Sequence, residues 1–154
     1  MKALVPRIPE AGAFFEFKLA GARLRQMFVD RVDIVGFAAA EAEIRAERVG
    51  RLVNLRGEAK VDLTFTCARC GDDFDAVLRI PVRMVMSPRR DVAADLEEDV
   101  GAGFYDGDEI FLDDIVLEQI VLAAPNAFYC RPDCKGVCAV CRANLNDGPC
   151  QCGT

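Results

Sequence analysis

The chain has 154 residues, 52% of them hydrophobic, with eight cysteines, no His, no Trp and a formal charge of −6. That length suits one domain, or one domain with a small metal-held appendage, and that apolar content fills a core without help from disulfides. The missing His excludes triads built on it, and the longest uncharged run, residues 119–130, is far short of a membrane span.

In chain order, the opening MKALVPRIPEAGAFF carries Lys2, Arg7, Glu10 and two prolines, with no apolar core of a secretion signal. The cytoplasm is therefore the expected compartment, where thiols stay reduced. Phe15 to Leu19 alternates apolar and polar residues and predicts a strand. Leu24 to Val29 reads as a helical turn or a linker. Ala42, Ile44 and Ala46 alternate with charged residues until Arg48 breaks the pattern. Gly50-Arg51 predicts a turn, and Gly57-Glu58 a second one. Ala59, Val61, Leu63 and Phe65 then share one face of a strand, with Lys60, Asp62, Thr64 and Thr66 on the other. Phe74 to Met86 resumes the alternation, with Pro81 marking a bulge or an edge. This is an antiparallel β-meander with one wet face.

Ser87 to Arg90 is expected to end the sheet. No Lys or Arg falls between Arg90 and Arg131, an interval holding eleven acids, whereas the other 14 acids face all 19 bases. One segment is thus strongly acidic and the rest mildly basic. This fits a solvated acidic loop, or a molecule with a basic face for RNA and an acidic face for a basic protein such as a ribosomal protein. Residues 89–111 read as an acidic, mobile linker. Residues 112–125 read as a helix, with an Asp as cap, an apolar face from Val116 to Ala124 that packs on the sheet, and Pro125 as its stop. The fold class is α+β: a β-rich region over 1–88, the linker, one packed C-terminal helix, and a cysteine-rich zinc-binding region over 126–154, all in a single domain.

The cysteines form four pairs: Cys67-x2-Cys70, Cys130-x3-Cys134, Cys138-x2-Cys141 and Cys150-x-Cys152. Eight reduced thiols so spaced predict two tetrahedral four-cysteine sites, the arrangement structural zinc prefers. Iron, as a single ion or a cluster, also accepts four thiolates. The last four cysteines can close on one ion locally, leaving Cys67 and Cys70 to meet Cys130 and Cys134. The competing arrangement crosses Cys67/Cys70 with Cys138/Cys141. Arg69, Arg131, Lys135 and Arg142 sit beside the thiols. They either offset thiolate charge or contact RNA phosphates. A thioredoxin-like role for Cys67/Cys70 would need a βαβ setting that this region lacks. No nucleophile–base arrangement or Gly-rich phosphate loop occurs, and zinc closed by four thiolates has no open position for water. The chain is expected not to be an enzyme, nor to take a small-molecule substrate.

Leu63-Thr64-Phe65-Thr66-Cys67-Ala68-Arg69-Cys70 resembles the strand and knuckle of the YceD family. So do Tyr105-Asp106-Gly107-Asp108-Glu109-Ile110 with the helix after it, Cys134-Lys135-Gly136-Val137-Cys138, Asn144-Leu145-Asn146 and Gly148-Pro149-Cys150. The chain departs from that pattern with Ala139 and Arg142, where the family usually has Pro and Gly. The resemblance implies a bacterial factor for accumulation of the large-subunit 23S ribosomal RNA, acting on RNA or a large-subunit ribosomal protein. It also favours the local cysteine pairing, because some members lack the last cluster and keep the equivalents of Cys67, Cys70 and the 130/134 region. The alternative reading is a metal- or redox-responsive regulator whose thiols release metal on oxidation.

Overall fold

A computed structural model describes residues 1–88 and 100–152. In chain order its elements are strand β1 (Lys2–Leu4), β2 (Ala13–Leu19), helix α1 (Gly21–Met27), β3 (Ile34–Val49), β4 (Leu52–Thr66), β5 (Asp73–Ser87), β6 (Gly101–Phe104), β7 (Glu109–Phe111) and helix α2 (Leu112–Ala123). Strands β2, β3, β4 and β5 form the expected antiparallel meander. Its alternation is its burial pattern: Ala59, Val61, Leu63 and Phe65 of β4 are buried, as are Ala42, Ile44 and Ala46 on β3 and Ile80, Val82, Met84 and Met86 on β5. Arg48 continues that inner face at its rim, where its guanidinium donates to the Ile8 and Gly50 carbonyls at 3.0 and 3.2 Å. Gly50, with φ 61°, makes the two-residue hairpin between Val49 and Leu52.

Gly57-Glu58 does not turn the chain. Gly57 lies mid-strand, opposite Ile44 on β3 and Val82 on β5, and a Cβ there would strike the Glu43 carbonyl oxygen. Its glycine serves close backbone approach, the other meaning of Gly in a strand. Pro81 stands opposite Glu58, while β6 pairs only with Met84–Ser87. Among the described residues Pro81 therefore lies on an uncovered edge, where a missing N–H is tolerated.

The sheet does not end at Ser87. Strand β6 adds to it in parallel with β5, and β7 pairs with β1 in a separate antiparallel ribbon. Residues 101–104 and 109–111 of the expected linker are thus strand, while its residues 89–99 lie outside the described residues. The glycines of β6 give no alternation to read, yet they have a packing reason: a Cβ at Gly103 would lie 2.5 Å from Met86 Sδ.

Helix α2 buries Leu112, Ile115, Val116, Leu117 and Ile120 in one core with the inner face of the sheet. Its N-cap is Phe111, without a side-chain cap, so neither Asp caps it. Asp113 and Asp114 occupy the first turn, where acids suit the helix dipole. They also take the two arms of Arg23 at 2.6 and 2.7 Å, pinning α1 to the start of α2. Burial opposes ionisation of Asp113, but the Met1 amino group and Arg23 outweigh it and hold the carboxyl below its ordinary range.

Candidate metal centres

Thr66 ends β4, and Cys67 to Asp72 make a tight knuckle before β5. The Cys67 N–H donates to the Asp72 carbonyl at 2.9 Å, and the Gly71 N–H donates back to the Cys67 carbonyl at 2.9 Å. Gly71 has φ 78°, a left-handed conformation that glycine adopts freely. The segment after α2 is brought to this knuckle by Phe128, which is buried and stacks on Phe65 with ring centroids 3.6 Å apart. The Phe128 carbonyl accepts from the Ala68 N–H at 2.8 Å, so Cys130 arrives beside Cys67. Arg31 supports the same segment by donating to the Pro125 carbonyl at 2.7 Å while paired with Asp33.

The result is a cluster of Cys67, Cys70, Cys130 and Cys134, with their sulfurs all within 4.8 Å of one another. Cys138, Cys141, Cys150 and Cys152 form a second such cluster. The structure thus brings together the local sets, not the crossed ones. In the first, Cys67 Sγ lies 3.8 Å from Cys134 Sγ, and Cys70 Sγ lies 3.7 Å from Cys130 Sγ. A tetrahedron with Zn–S bonds of about 2.3 Å has sulfur–sulfur edges of about 3.8 Å. The separations fit a tetrahedral ion and are far too long for a disulfide bond.

The electrostatics point the same way. Burial works against ionising Cys67, but N–H groups of Cys70, Cys130 and Arg69 directed at its sulfur prevail and lower it to about 6. An N–H of Asp72 favours the Cys70 thiolate, yet burial and the neighbouring sulfurs Cys67, Cys134 and Cys130 push it up to about 12. The Asn146 side chain is the main influence lowering Cys134, while burial leads in raising Cys130. In the second cluster N–H groups of Cys141 and Val140 bring Cys138 down to about 6. Cys141 is the main influence raising Cys152. Each cluster therefore has thiols that ionise readily and others held back by like charge. A bound dication would remove that conflict, because all four sulfurs would then share one positive centre.

The second knuckle repeats the first. The Arg142 N–H donates to the Cys138 carbonyl at 2.9 Å, as Gly71 does to Cys67, and Arg142 has φ 60°, the one non-glycine with positive φ among the described residues. The Val140 N–H lies 3.4 Å from Cys138 Sγ. An N–H directed at sulfur is thus retained despite the absent glycine.

Arg69 lies over the Tyr129 ring, 4.4 Å from its centroid, and donates to the Pro132 and Cys134 carbonyls at 3.2 and 3.3 Å. It laces one knuckle to the other strand of the site. Arg131, Lys135 and Arg142 are exposed around the same end of the molecule, Arg131 with Asp133 3.8 Å away. Asn144 and Asn146, which carry part of the family resemblance but are not ligands, also support the site. Asn146 Nδ2 donates to Cys134 Sγ at 3.4 Å and its Oδ1 accepts from the Lys135 N–H at 2.9 Å, while Asn144 Nδ2 reaches Asp72 Oδ2 at 2.6 Å. Their position between the second cluster's two cysteine pairs was the available signal.

Residues 55–154 match the protein family described as large ribosomal RNA subunit accumulation protein YceD. An uncharacterized protein of Mycobacterium leprae is 24% identical over 135 residues, covering 87% of this chain and 62% of its own length. Uncharacterized proteins of Mycobacterium bovis and Mycobacterium tuberculosis are 22% identical over 138 residues, covering 90% of this chain and 67% of theirs. The chain thus spans about two thirds of the length of these relatives. No solved structure matches it. Among the described residues, no helix is long and apolar enough to cross a membrane.

Proposed function

Because the chain belongs to the YceD family, a family of non-catalytic accessory factors, we propose that it supports accumulation of large-subunit ribosomal RNA as a zinc-stabilised binding protein in the bacterial cytoplasm. Zinc at the first cluster holds the segment beyond α2 against the end of β4, zinc at the second closes the chain's last loop, and the resulting knuckles are a rigid surface for precursor RNA or a large-subunit ribosomal protein. The observation that carries this reading is the first cluster. It joins Cys67/Cys70 at the end of β4 to Cys130/Cys134 beyond α2, so an ion held there would be part of the fold, and four thiolates would leave it no open coordination position. The exposed Arg131, Lys135 and Arg142 beside it, with Arg69, are the phosphate-contacting candidates of that surface.

Elemental analysis of protein purified without added metal should give two zinc ions per chain, and mostly iron would overturn the zinc assignment. Gradient sedimentation of lysate should place the protein with a large-subunit precursor. Sedimentation only as free protein would overturn the ribosomal reading. The redox-regulator reading draws on the exposure of Cys141 and Cys152 in the second cluster. Metal released at mild oxidant, together with no ribosomal association, would favour it.

A further inference from the structure

The sheet register aligns four residues into one solvent-facing row. Phe14 on β2 stands opposite Arg45 on β3, Arg45 opposite Arg56 on β4, and Arg56 opposite Arg83 on β5. All four side chains are exposed, Phe14 to 75%. Three arginines directly opposite one another repel, so the row works against sheet stability. Local partners answer this at Arg45 and at Arg83, and leave Arg56 between them. Arg45 pairs with Glu47 at 2.7 Å and lies over the Phe14 ring, 5.5 Å from its centroid. The Arg56 side chain, between the other two, makes no ion pair or hydrogen bond with another described residue. The neighbouring row is Glu16, Glu43 and Glu58, and a shallow hollow of about 290 Å³ opens between the rows, beside Phe14.

We propose that this row, Phe14–Arg45–Arg56–Arg83, is a binding surface for single-stranded RNA. The inference rests on the reading of the protein as an RNA-binding factor, and it places contact on the outer face of the sheet, away from the knuckles. Cys67 lies eleven positions beyond Arg56, just past the end of β4, about 35 Å along a strand. Each part of the row answers one part of the ligand. An exposed aromatic on a sheet offers a face for an unstacked base, as every base has a π-face. The arginines rise from neighbouring strands about 4.8 Å apart, and their guanidiniums offer paired N–H donors to successive phosphates. Glu16 and Glu43 accept from exocyclic amino groups of bases, which a plain polyanion does not have, while Glu58 is paired with Arg79 at 2.9 Å. A duplex presents its bases stacked and edge-on, so the exposed ring selects a single strand. An acidic protein would use the arginines but leave Phe14 and the glutamates without a purpose.

The test is anisotropy titration of the full chain with a short single-stranded RNA across a salt series. Three variants are compared with the wild type: R45Q/R56Q/R83Q, F14A, and the knuckle variant R131Q/K135Q/R142Q. The triple arginine variant should flatten the salt slope by about two units, at about 0.7 per lost phosphate contact on a single strand. F14A should weaken binding by about tenfold with the slope unchanged. Zinc content of the row variants should equal that of the wild type, since these exposed side chains lie away from both clusters. Wild-type binding that the row variants match in affinity and slope overturns this surface and leaves the RNA reading standing. No wild-type binding at low salt overturns the RNA reading and this surface with it. Displacement of the RNA by polyglutamate at equal charge would overturn the assignment in favour of an acidic protein partner.

Discussion

Asn146 Nδ2 donates to Cys134 Sγ across 3.4 Å, so the loop that closes the second cluster also touches a ligand of the first. The contact is locked from both sides. Asn146 Nδ2 is also 2.8 Å from Asn144 Oδ1, and the Leu145 N–H donates to the Gly136 carbonyl at 2.9 Å. A hydrogen bond to a metal-bound thiolate stabilises its charge and fixes its direction, and losing such a contact typically costs 10–100-fold in affinity. Asn146→Ala should therefore weaken zinc at the first cluster by about tenfold, read by competition with a chromogenic chelator. Unchanged retention at both clusters would show the contact to be incidental.

The two clusters should differ in what they hold. Cys67 is 2% exposed and joins segments more than sixty residues apart, while Cys150 is half-buried and closes a short loop. Metal binding is folding free energy, and it is greatest where the ion replaces distant chain contacts. Cys67→Ser should cost about 3 kcal/mol or more, lowering the melting temperature by about 10 °C for a chain of this size. Cys150→Ser should lower it by less than half as much. Equal losses would mean that the Asn144–Asp72 and Asn146–Cys134 contacts make both clusters one cooperative unit.

The parts of this molecule that were legible in advance are those whose signal is local. Alternation from Ala59 to Phe65 specifies β4, and the apolar residues from Val116 to Ala124 specify α2, because a half-buried strand or helix must repeat its burial at its own period. The cysteine pairs were legible because few other local purposes bring eight thiols into such spacings. What was not legible depends on partners far away in sequence. Strand β6 is two glycines and little else, and only Met84 and Met86 explain them. β1 and β7 are three residues each and pair across more than a hundred positions. Gly57 signals either a turn or a close approach, and register alone decides. Register also aligns Arg45, Arg56 and Arg83, which are unremarkable charges when read one at a time.

Phe128 should be the residue on which the first cluster's geometry depends without being a ligand. Its ring stacks on Phe65 at 22° between planes, and its carbonyl holds the Ala68 N–H two residues before Cys130. Phe128→Ala leaves a cavity beside Phe65 and should cost about 3–4 kcal/mol, as large-to-small core changes do. The loss should be accompanied by weaker zinc at the first cluster, because Cys130 loses its approach. Phe128→Leu should keep most of the metal affinity. A destabilised Phe128→Ala protein that binds zinc as tightly as the wild type would show that the knuckle positions Cys130 without the aromatic plug.

Gly71 and Arg142 hold the same place in the two knuckles, each donating its N–H to the carbonyl of the first cysteine, at φ 78° and 60°. An L-residue pays a steric cost of roughly 1–2 kcal/mol in that conformation, because its Cβ approaches the following carbonyl oxygen. Glycine has no such cost, although it loses more chain entropy on folding. The net effect of Arg142→Gly should therefore be stabilising, by about 0.5–1 kcal/mol or roughly 2 °C in melting temperature. The gain should appear only with metal bound, since the knuckle conformation is imposed by Cys138 and Cys141 meeting one ion. With chelator present, the two proteins should melt together. A lower melting temperature for Arg142→Gly in the metal-bound form would mean that the Arg142 side chain contributes more than its backbone costs. It would then be held there for charge beside the thiolates.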